Sequence, residues 1–207
     1  MSYYPVNLDI RGRKCVVIGG GTVAERKVDM LLDSQAKVTV VAPALTPKLR
    51  ELATSGKITH VPEKYTTEAL ESAFLVIAAT DDREINSTAS REAQKQGILV
   101  NVVDDPELCT FLSPAVVRRG DLQIAVSTSG KSPALARRLR EELEERFGPE
   151  YEDLVNIIGD FREEIKEKYA DMADRNSAYV RILNSNALRL LKAGRRAEAI
   201  EKVRKCI

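Results

Sequence analysis

Three consecutive glycines near the N-terminus are the feature that most constrains the fold of this chain. They follow the apolar run Lys14–Ile18 and precede a segment, from Thr22 to about Asp33, whose apolar residues recur at helical spacing. Gly19, Gly21 and Ala24 fit the pattern G-x-G-x-x-A, in which glycines permit a tight turn and close approach to a pyrophosphate, and the small third residue lets helix and strand pack closely. We therefore predict a dinucleotide site at the N-terminus of this helix, with a purely structural glycine turn as the alternative.

Strand-like and helix-like segments alternate through the first half of the chain. The strand-like runs are apolar at consecutive positions, as in strands buried on both faces of a sheet. They are Lys14–Ile18, Lys37–Val41, Lys57–Val61, Phe74–Ala79 and Ile98–Val103. Helical patterns lie between them, from Thr22 to about Asp33, at Pro47–Thr54 and at Arg83–Gln96. This alternation predicts an α/β fold, a doubly wound parallel sheet over residues 1–112.

The pattern changes after residue 112. We predict two further strands, at Thr110–Ser113 and Leu122–Ser127. Ser132 and Pro133 suit an N-cap followed by a proline at the first helical position, so a helix is predicted from about Ala134 to Phe147. The remaining residues are rich in charge and carry apolar side chains at helical spacing, which predicts a helical C-terminal region.

The second predicted strand lacks one part of the usual dinucleotide pattern. About 20 residues after the glycines, an acidic residue commonly binds the ribose hydroxyls. This sequence has Ala42, Pro43 and Ala44 there instead. We expect backbone groups of the Pro43–Ala44 turn to hold the ribose, and the local sequence leaves NAD and NADP open.

Acidic residues follow two of the buried strands, where ligands bind in open α/β sheets. Thr80 and Asp81 are predicted to line the cofactor pocket, and Asp82 is predicted to cap the next helix. Asp105 is predicted to be a turn residue. For Asp104 two interpretations stay open: a proton acceptor that faces a cleft, or a residue that only forms the turn.

Basic residues cluster after the sheet. Arg118, Arg119 and Lys131 can hold a polyanionic substrate, because arginine forks pair with carboxylates; a solvated surface is the alternative for all three. A solvated helix face is favoured for Arg138 and Arg140, since glutamates supply partners one turn further along the helix.

Other features exclude several classes of function. The net charge of +1 argues against nucleic acid and acidic membranes as partners. No apolar run is long enough to cross a bilayer, and no signal-peptide pattern is present, so a cytoplasmic location is expected. The cysteines, Cys15, Cys109 and Cys206, form no CxxC pair, and His60 is the only histidine, so no metal site is expected.

Several motifs in register resemble those of one family, the precorrin-2 dehydrogenase and sirohydrochlorin ferrochelatase family, which is the dehydrogenase module of siroheme synthase. The motifs lie in order over roughly residues 5–145. They are Val17–Lys27, Ile77–Asp82, Asn101–Asp104, Phe111-x-x-Pro114 and Ala125–Arg137. The resemblance implies a Rossmann-type NAD-binding domain over residues 1–112, a dimerisation segment over 113–147 and a helical domain over 148–207, in a homodimer.

The resemblance also implies an activity: NAD-dependent oxidation of precorrin-2 to sirohydrochlorin, with insertion of ferrous iron, Fe²⁺, in some members. Asp104 matches the catalytic aspartate proposed for the family, a general base. Thr22, Val23, Pro43 and Ala44 match cofactor-contact positions, which favours NAD. The tetrapyrrole carries eight carboxylates, for which Arg118, Arg119 and Lys131 are candidate anchors. The alternative from another class is an NAD(H)-binding regulatory module without tetrapyrrole turnover.

Overall fold

The computed structural model describes residues 3–207, and the chain divides into two compact units, one ending at Ser113 and the other running from Pro114 to Ile207. The first unit is built on a five-stranded, entirely parallel sheet. Its strands are β1 (Lys14–Ile18), β2 (Lys37–Val41), β3 (Thr59–Val61), β4 (Leu75–Ala78) and β5 (Leu99–Val102). Its α-helices are α1 (Thr22–Asp33), α2 (Pro47–Thr54) and α3 (Arg83–Lys95), and short 3₁₀ turns span Thr67–Leu70 and Pro106–Leu108.

The strand order β3-β2-β1-β4-β5 confirms the predicted doubly wound sheet. The chain runs outward from β1 to β3, returns to the other side of β1, and continues to β5. A crevice therefore opens between the ends of β1 and β4, where the connections leave in opposite directions. Open sheets of this kind bind their ligands at this switch point.

Burial on both faces of the sheet explains its continuous apolar runs. In β1, Cys15 and Val17 pack into one apolar cluster, and Val16 and Ile18 pack into another on the opposite face. Ala24 of α1 is fully buried in the first cluster, so this helix lies directly against the sheet.

The predicted strand at Thr110–Ser113 is wrong. Strand β5 is the edge of the sheet, and the following loop satisfies its outer backbone groups. The Thr110 hydroxyl accepts from the Val100 N–H (2.8 Å), and the Val102 N–H donates to the Cys109 sulfur (3.1 Å). The Thr110 N–H also donates to the Val100 carbonyl at 2.8 Å. Backbone pairing stops there because the Cys109 thiol takes the Val102 groups, so no further strand extends along this edge.

The second unit begins with an antiparallel hairpin of β6 (Ala115–Arg119) and β7 (Leu122–Val126). The predicted helix then forms as α4 (Pro133–Arg146), with the Ser132 hydroxyl accepting from the Leu135 N–H at 3.3 Å. The remaining helices, whose apolar faces share a core, are α5 (Glu150–Asp160), α6 (Arg162–Lys168), α7 (Met172–Leu183), α8 (Ala187–Lys192) and α9 (Arg196–Arg204). Within residues 3–207, no helix has the length and apolar character needed to span a membrane.

Candidate dinucleotide-binding site

The glycine loop joins β1 to α1 at the switch point and lies close to the end of β4. Gly19 has φ +123°, a conformation that side chains rarely adopt. A Cβ atom at Gly19 would stand 2.4 Å from the Ala79 carbonyl oxygen and 3.3 Å from the Thr80 nitrogen. The absence of a side chain thus lets the loop reach Thr80, one of the residues predicted to line the cofactor pocket.

Gly20, which the sequence pattern leaves unassigned, fixes the loop after β2. A Cβ atom there would lie 1.9 Å from the Ala44 carbonyl oxygen, and the Gly20 carbonyl accepts from the Thr46 N–H at 3.0 Å. These contacts bring Pro43 and Ala44, both exposed, against the glycine loop. The middle glycine of the three was the sequence signal for this close approach.

Gly21, unlike Gly20, has open space around the position that a Cβ atom would take. No heavy atom would lie within 4 Å of a Cβ at this position. Gly21 is the N-cap of α1 and supplies no side-chain cap, so the first-turn N–H groups of Thr22 and Val23 border an open cradle, while Ala24 is buried against the sheet. Such a helix N-terminus attracts anions through these N–H groups and the helix dipole, and the cradle fits a pyrophosphate.

A hydrogen bond across the site fixes the start of α2. The Thr46 hydroxyl donates to the Glu25 carboxylate (2.6 Å) and accepts from the Leu49 N–H (3.2 Å). Thr46 therefore caps α2 and connects it to α1. His60 supports the same loop, because its Nε2 lies 2.9 Å from the Ala42 carbonyl oxygen.

The loop after β4 is held by Asn86, a buried residue that sequence reasoning missed. The Asn86 side-chain oxygen accepts from the Thr80 hydroxyl (2.8 Å), and its amide nitrogen donates to the Thr80 carbonyl (2.9 Å). Asp82 caps α3 as predicted, accepting from the Glu84 N–H at 2.9 Å. Asp81 remains exposed beside the Thr80 turn.

Asp104 lies at the end of β5 in a left-handed conformation, with φ +60°. Its side chain is exposed, and the turn that carries it is closed by the Asp105 N–H and the Val102 carbonyl at 3.4 Å. Asp105 itself pairs with Arg83 at 3.5 Å. The turn leaves the Asp104 carboxylate free to act on a ligand.

Lys27, on α1, lies within electrostatic reach of Asp104. Burial lowers the pKa of its ammonium group and Arg26 lowers it further, whereas Asp104 and Cys109 raise it. Lys27 is half-buried, and no carboxylate of the described chain forms an ion pair with it. The sequence had placed Lys27 only within a motif.

In the second unit, the candidate anchors differ in their surroundings. Arg119 donates to the backbone carbonyls of Phe147 (2.8 Å), Glu144 (3.0 Å) and Arg118 (2.9 Å), and so closes the C-terminal end of α4. Arg118 and Lys131 are exposed. The solvated helix face is also present, since Arg138 pairs with Glu142 and Arg140 with Glu144.

The first unit has the fold and the glycine cradle of a Rossmann-type dinucleotide-binding protein. Residues 6–115 match the family model described as "Putative NAD(P)-binding". Residues 119–146 match the central region of sirohaem biosynthesis proteins, and residues 150–206 match the sirohaem synthase dimerisation region. The chain belongs to this NAD(P)-binding family and carries both sirohaem synthase regions after it.

Curated relatives agree with this placement. The chain is 39% identical over 207 residues, all of its length, to a siroheme synthase of Thioalkalivibrio sulfidiphilus, and covers 42% of that protein. It is 45% identical over 170 residues, or 82% of its length, to a siroheme synthase of Methylobacillus flagellatus, and covers 36% of that protein. The chain thus spans about two fifths of the length of these relatives.

A solved structure matches over nearly the whole chain. The structure of "SirC, precorrin-2 dehydrogenase" superposes with a TM-score of 0.79 at 27% identity, covering 98% of this chain and 100% of that one. No group of three or more potential metal ligands occurs among the residues that the structure describes.

Proposed function

We propose that this chain is an NAD-dependent dehydrogenase that oxidises precorrin-2 to sirohydrochlorin in siroheme biosynthesis. The observation that carries this proposal is the match to SirC, a precorrin-2 dehydrogenase, all of which has a counterpart here. The siroheme synthase relatives support the same substrate.

Gly19 and Gly21 would let the dinucleotide approach the backbone, and the first-turn N–H groups of Thr22 and Val23 would bind its pyrophosphate. The small Ala24 would keep this helix close to the sheet and so shape the site. The cofactor would also contact Pro43 and Ala44 through its ribose, and Thr80 and Asp81 on its nicotinamide side. The surroundings of the Pro43–Ala44 turn favour NAD over NADP. Two basic residues follow this turn along the chain: Lys48 is paired with Asp29 at 2.5 Å, and Arg50 donates to the Leu45 carbonyl at 3.4 Å. These contacts compete with binding of a 2′-phosphate.

Oxidation of precorrin-2 removes a hydride and a proton. When bound, NAD⁺ supplies the hydride acceptor. Asp104 accepts the proton on its carboxylate, which is exposed at the sheet edge and makes no ion pair among the described residues. The half-buried Lys27 ammonium supplies positive charge within electrostatic reach of Asp104.

The remaining parts of the proposal concern partners. Arg118, Arg119 and Lys131 are candidate anchors for substrate carboxylates, although Arg119 already closes α4. A cytoplasmic homodimer is proposed, since residues 150–206 match a dimerisation region; a dimerisation role for residues 113–147 stays a prediction. Insertion of Fe²⁺ into sirohydrochlorin, a ferrochelatase activity, is a further proposed step.

The test is anaerobic incubation of the purified protein with precorrin-2 and NAD⁺. NADH and sirohydrochlorin should appear in equal amounts, and Fe²⁺ added afterwards reports chelation by formation of siroheme. If NAD⁺ binds but neither product forms, the chain is better explained as an NAD(H)-binding regulatory module.

A further inference from the structure

The turn that carries Asp104 adopts a conformation that its surroundings must hold. Asp104 has φ +60°, and only a 3.4 Å hydrogen bond from the Asp105 N–H to the Val102 carbonyl closes the turn from within. Left-handed backbone is unfavourable for residues with side chains, although aspartate tolerates it better than most. Such a conformation persists when neighbouring groups determine it.

The Cys109 sulfur supplies side-chain contacts of this kind, beside the backbone hydrogen bonds from the Val103 N–H to the Ala78 carbonyl (3.0 Å) and from the Leu108 N–H to the Asp105 carbonyl (3.2 Å). It lies 3.1 Å from the Val102 nitrogen, 3.3 Å from the Val102 oxygen and 3.2 Å from the Asp105 oxygen. One thiol can therefore accept from the Val102 N–H and donate to a carbonyl at either end of the turn. Burial raises the pKa of the Cys109 thiol, which keeps the S–H donor at neutral pH.

Buried polar side chains fix the segment that presents this sulfur. Asn101, which is 6% exposed, donates to the Phe111 carbonyl at 3.1 Å and lies 3.5 Å from the Cys109 sulfur. Ser90, which is fully buried, donates to the Leu108 carbonyl at 2.6 Å. The chain is thus held by buried side chains both before Cys109, at Leu108, and after it, at Phe111.

We propose that Cys109 is a positioning residue for Asp104. Its thiol bridges the two ends of the turn Val102–Asp105 and fixes the direction in which the Asp104 carboxylate leaves the sheet. This role rests on the proposed function of Asp104 as the proton acceptor, whereas the bridge itself does not depend on any reaction.

The kinetic test compares Cys109→Ala, Cys109→Ser and the matched control Cys206→Ala, which removes a half-buried thiol from the second unit. Misplacement of a catalytic group by about 1 Å can cost on the order of 100-fold in rate. We expect Cys109→Ala to lower kcat for NADH formation by about 10- to 100-fold. The KM for NAD⁺ should stay unchanged. Cys109→Ser retains a donor and an acceptor and should recover most of kcat, and Cys206→Ala should match the parent.

A double variant separates positioning from general damage. If Cys109 acts through Asp104, then Cys109→Ala should cause no further loss of kcat in an Asp104→Ala background. Loss by the same factor in both backgrounds would overturn the proposal.

Amide hydrogen exchange tests the bridge without turnover. The Val102 amide should lose protection in Cys109→Ala and regain it in Cys109→Ser; unchanged protection in Cys109→Ala would overturn the bridge. If the parent protein oxidises no precorrin-2 while the Val102 amide behaves as expected, the proposed function fails and the bridge stands. If the parent is active but Val102 is unaffected, the positioning role fails alone.

Discussion

At the scale of single residues, the three consecutive glycines do different work. Gly19 lets the loop approach the backbone just after β4, and Gly20 lets it approach the loop after β2. Gly21 has no protein neighbour, which leaves room for a ligand. A methyl group would meet backbone atoms at the first two positions and empty space at the third. We therefore expect side chains at Gly19 and Gly20 to affect stability, and a side chain at Gly21 to affect ligand binding.

Alanine at Gly20 and Gly21 should therefore give opposite phenotypes. Gly20→Ala places a methyl group against the Ala44 carbonyl, and we expect it to lower the free energy of unfolding by about 1–3 kcal/mol. Gly21→Ala should change stability by less than about 1 kcal/mol yet weaken NAD⁺ binding, because the methyl group occupies the cradle. Urea unfolding and NAD⁺ titration of both variants decide this; equal stability losses would contradict it.

At the scale of elements, the local patterns predicted more of the fold than of the contacts between elements. Strands β1 and β2 and helices α1 and α2 have the predicted bounds, because apolar periodicity and capping are local signals. The strand at Thr110–Ser113 was wrong because the backbone of this segment bonds to β5 only at Val100, and the Cys109 side chain takes the groups of Val102. Asn86 was missed because its role depends on a contact with Thr80 that forms only in the folded chain.

Substitution of Thr46 tests how much its hydrogen bonds contribute to the placement of α2 beside the glycine loop. Thr46→Ala removes the N-cap of α2 and the hydrogen bond to Glu25, and should cost about 1 kcal/mol of stability and weaken NAD⁺ binding. Thr46→Ser keeps the hydroxyl and should behave as the parent. A Thr46→Ala variant with parental stability would show that the cap contributes nothing.

Arg119 and Arg118 provide a matched pair in the second unit. Arg119→Ala removes three hydrogen bonds to backbone carbonyls, so thermal unfolding should occur at a lower temperature. Arg118→Ala changes an exposed side chain and should alter stability by less than about 0.5 kcal/mol while raising the KM for precorrin-2. If instead Arg119→Ala raises that KM at unchanged stability, Arg119 is the substrate anchor.

At the scale of the whole molecule, the sequence predicted the class of protein because several motifs lie in order over roughly residues 5–145. The NAD(P)-binding family and the sirohaem synthase regions confirm that prediction. The site residues stay predictions, and Asp104 is the one on which the chemistry depends. Its left-handed turn and the half-buried Lys27 beside it depend on the folded chain, and no local pattern showed them.

Lys27 makes the stability of the molecule depend on pH. Burial lowers the pKa of its ammonium, so folding carries a penalty that is full below the folded-state pKa and disappears as the pH rises toward the unfolded value of about 10.4. Lys27→Met should therefore stabilise the protein near neutral pH, by an amount that shrinks at alkaline pH. Urea unfolding across this range checks it, with exposed Lys64→Met as the control; a pH-independent difference would contradict it.

The most direct measurement compares the parent protein with Asp104→Ala in anaerobic assays of precorrin-2 and NAD⁺, with NAD⁺ affinity measured separately for both. The parent should form NADH and sirohydrochlorin in equal amounts. Asp104→Ala should be slower by about 10²- to 10⁴-fold, the usual contribution of a general base, with unchanged NAD⁺ affinity. If both proteins bind NAD⁺ and neither forms either product, the chain is not a precorrin-2 dehydrogenase.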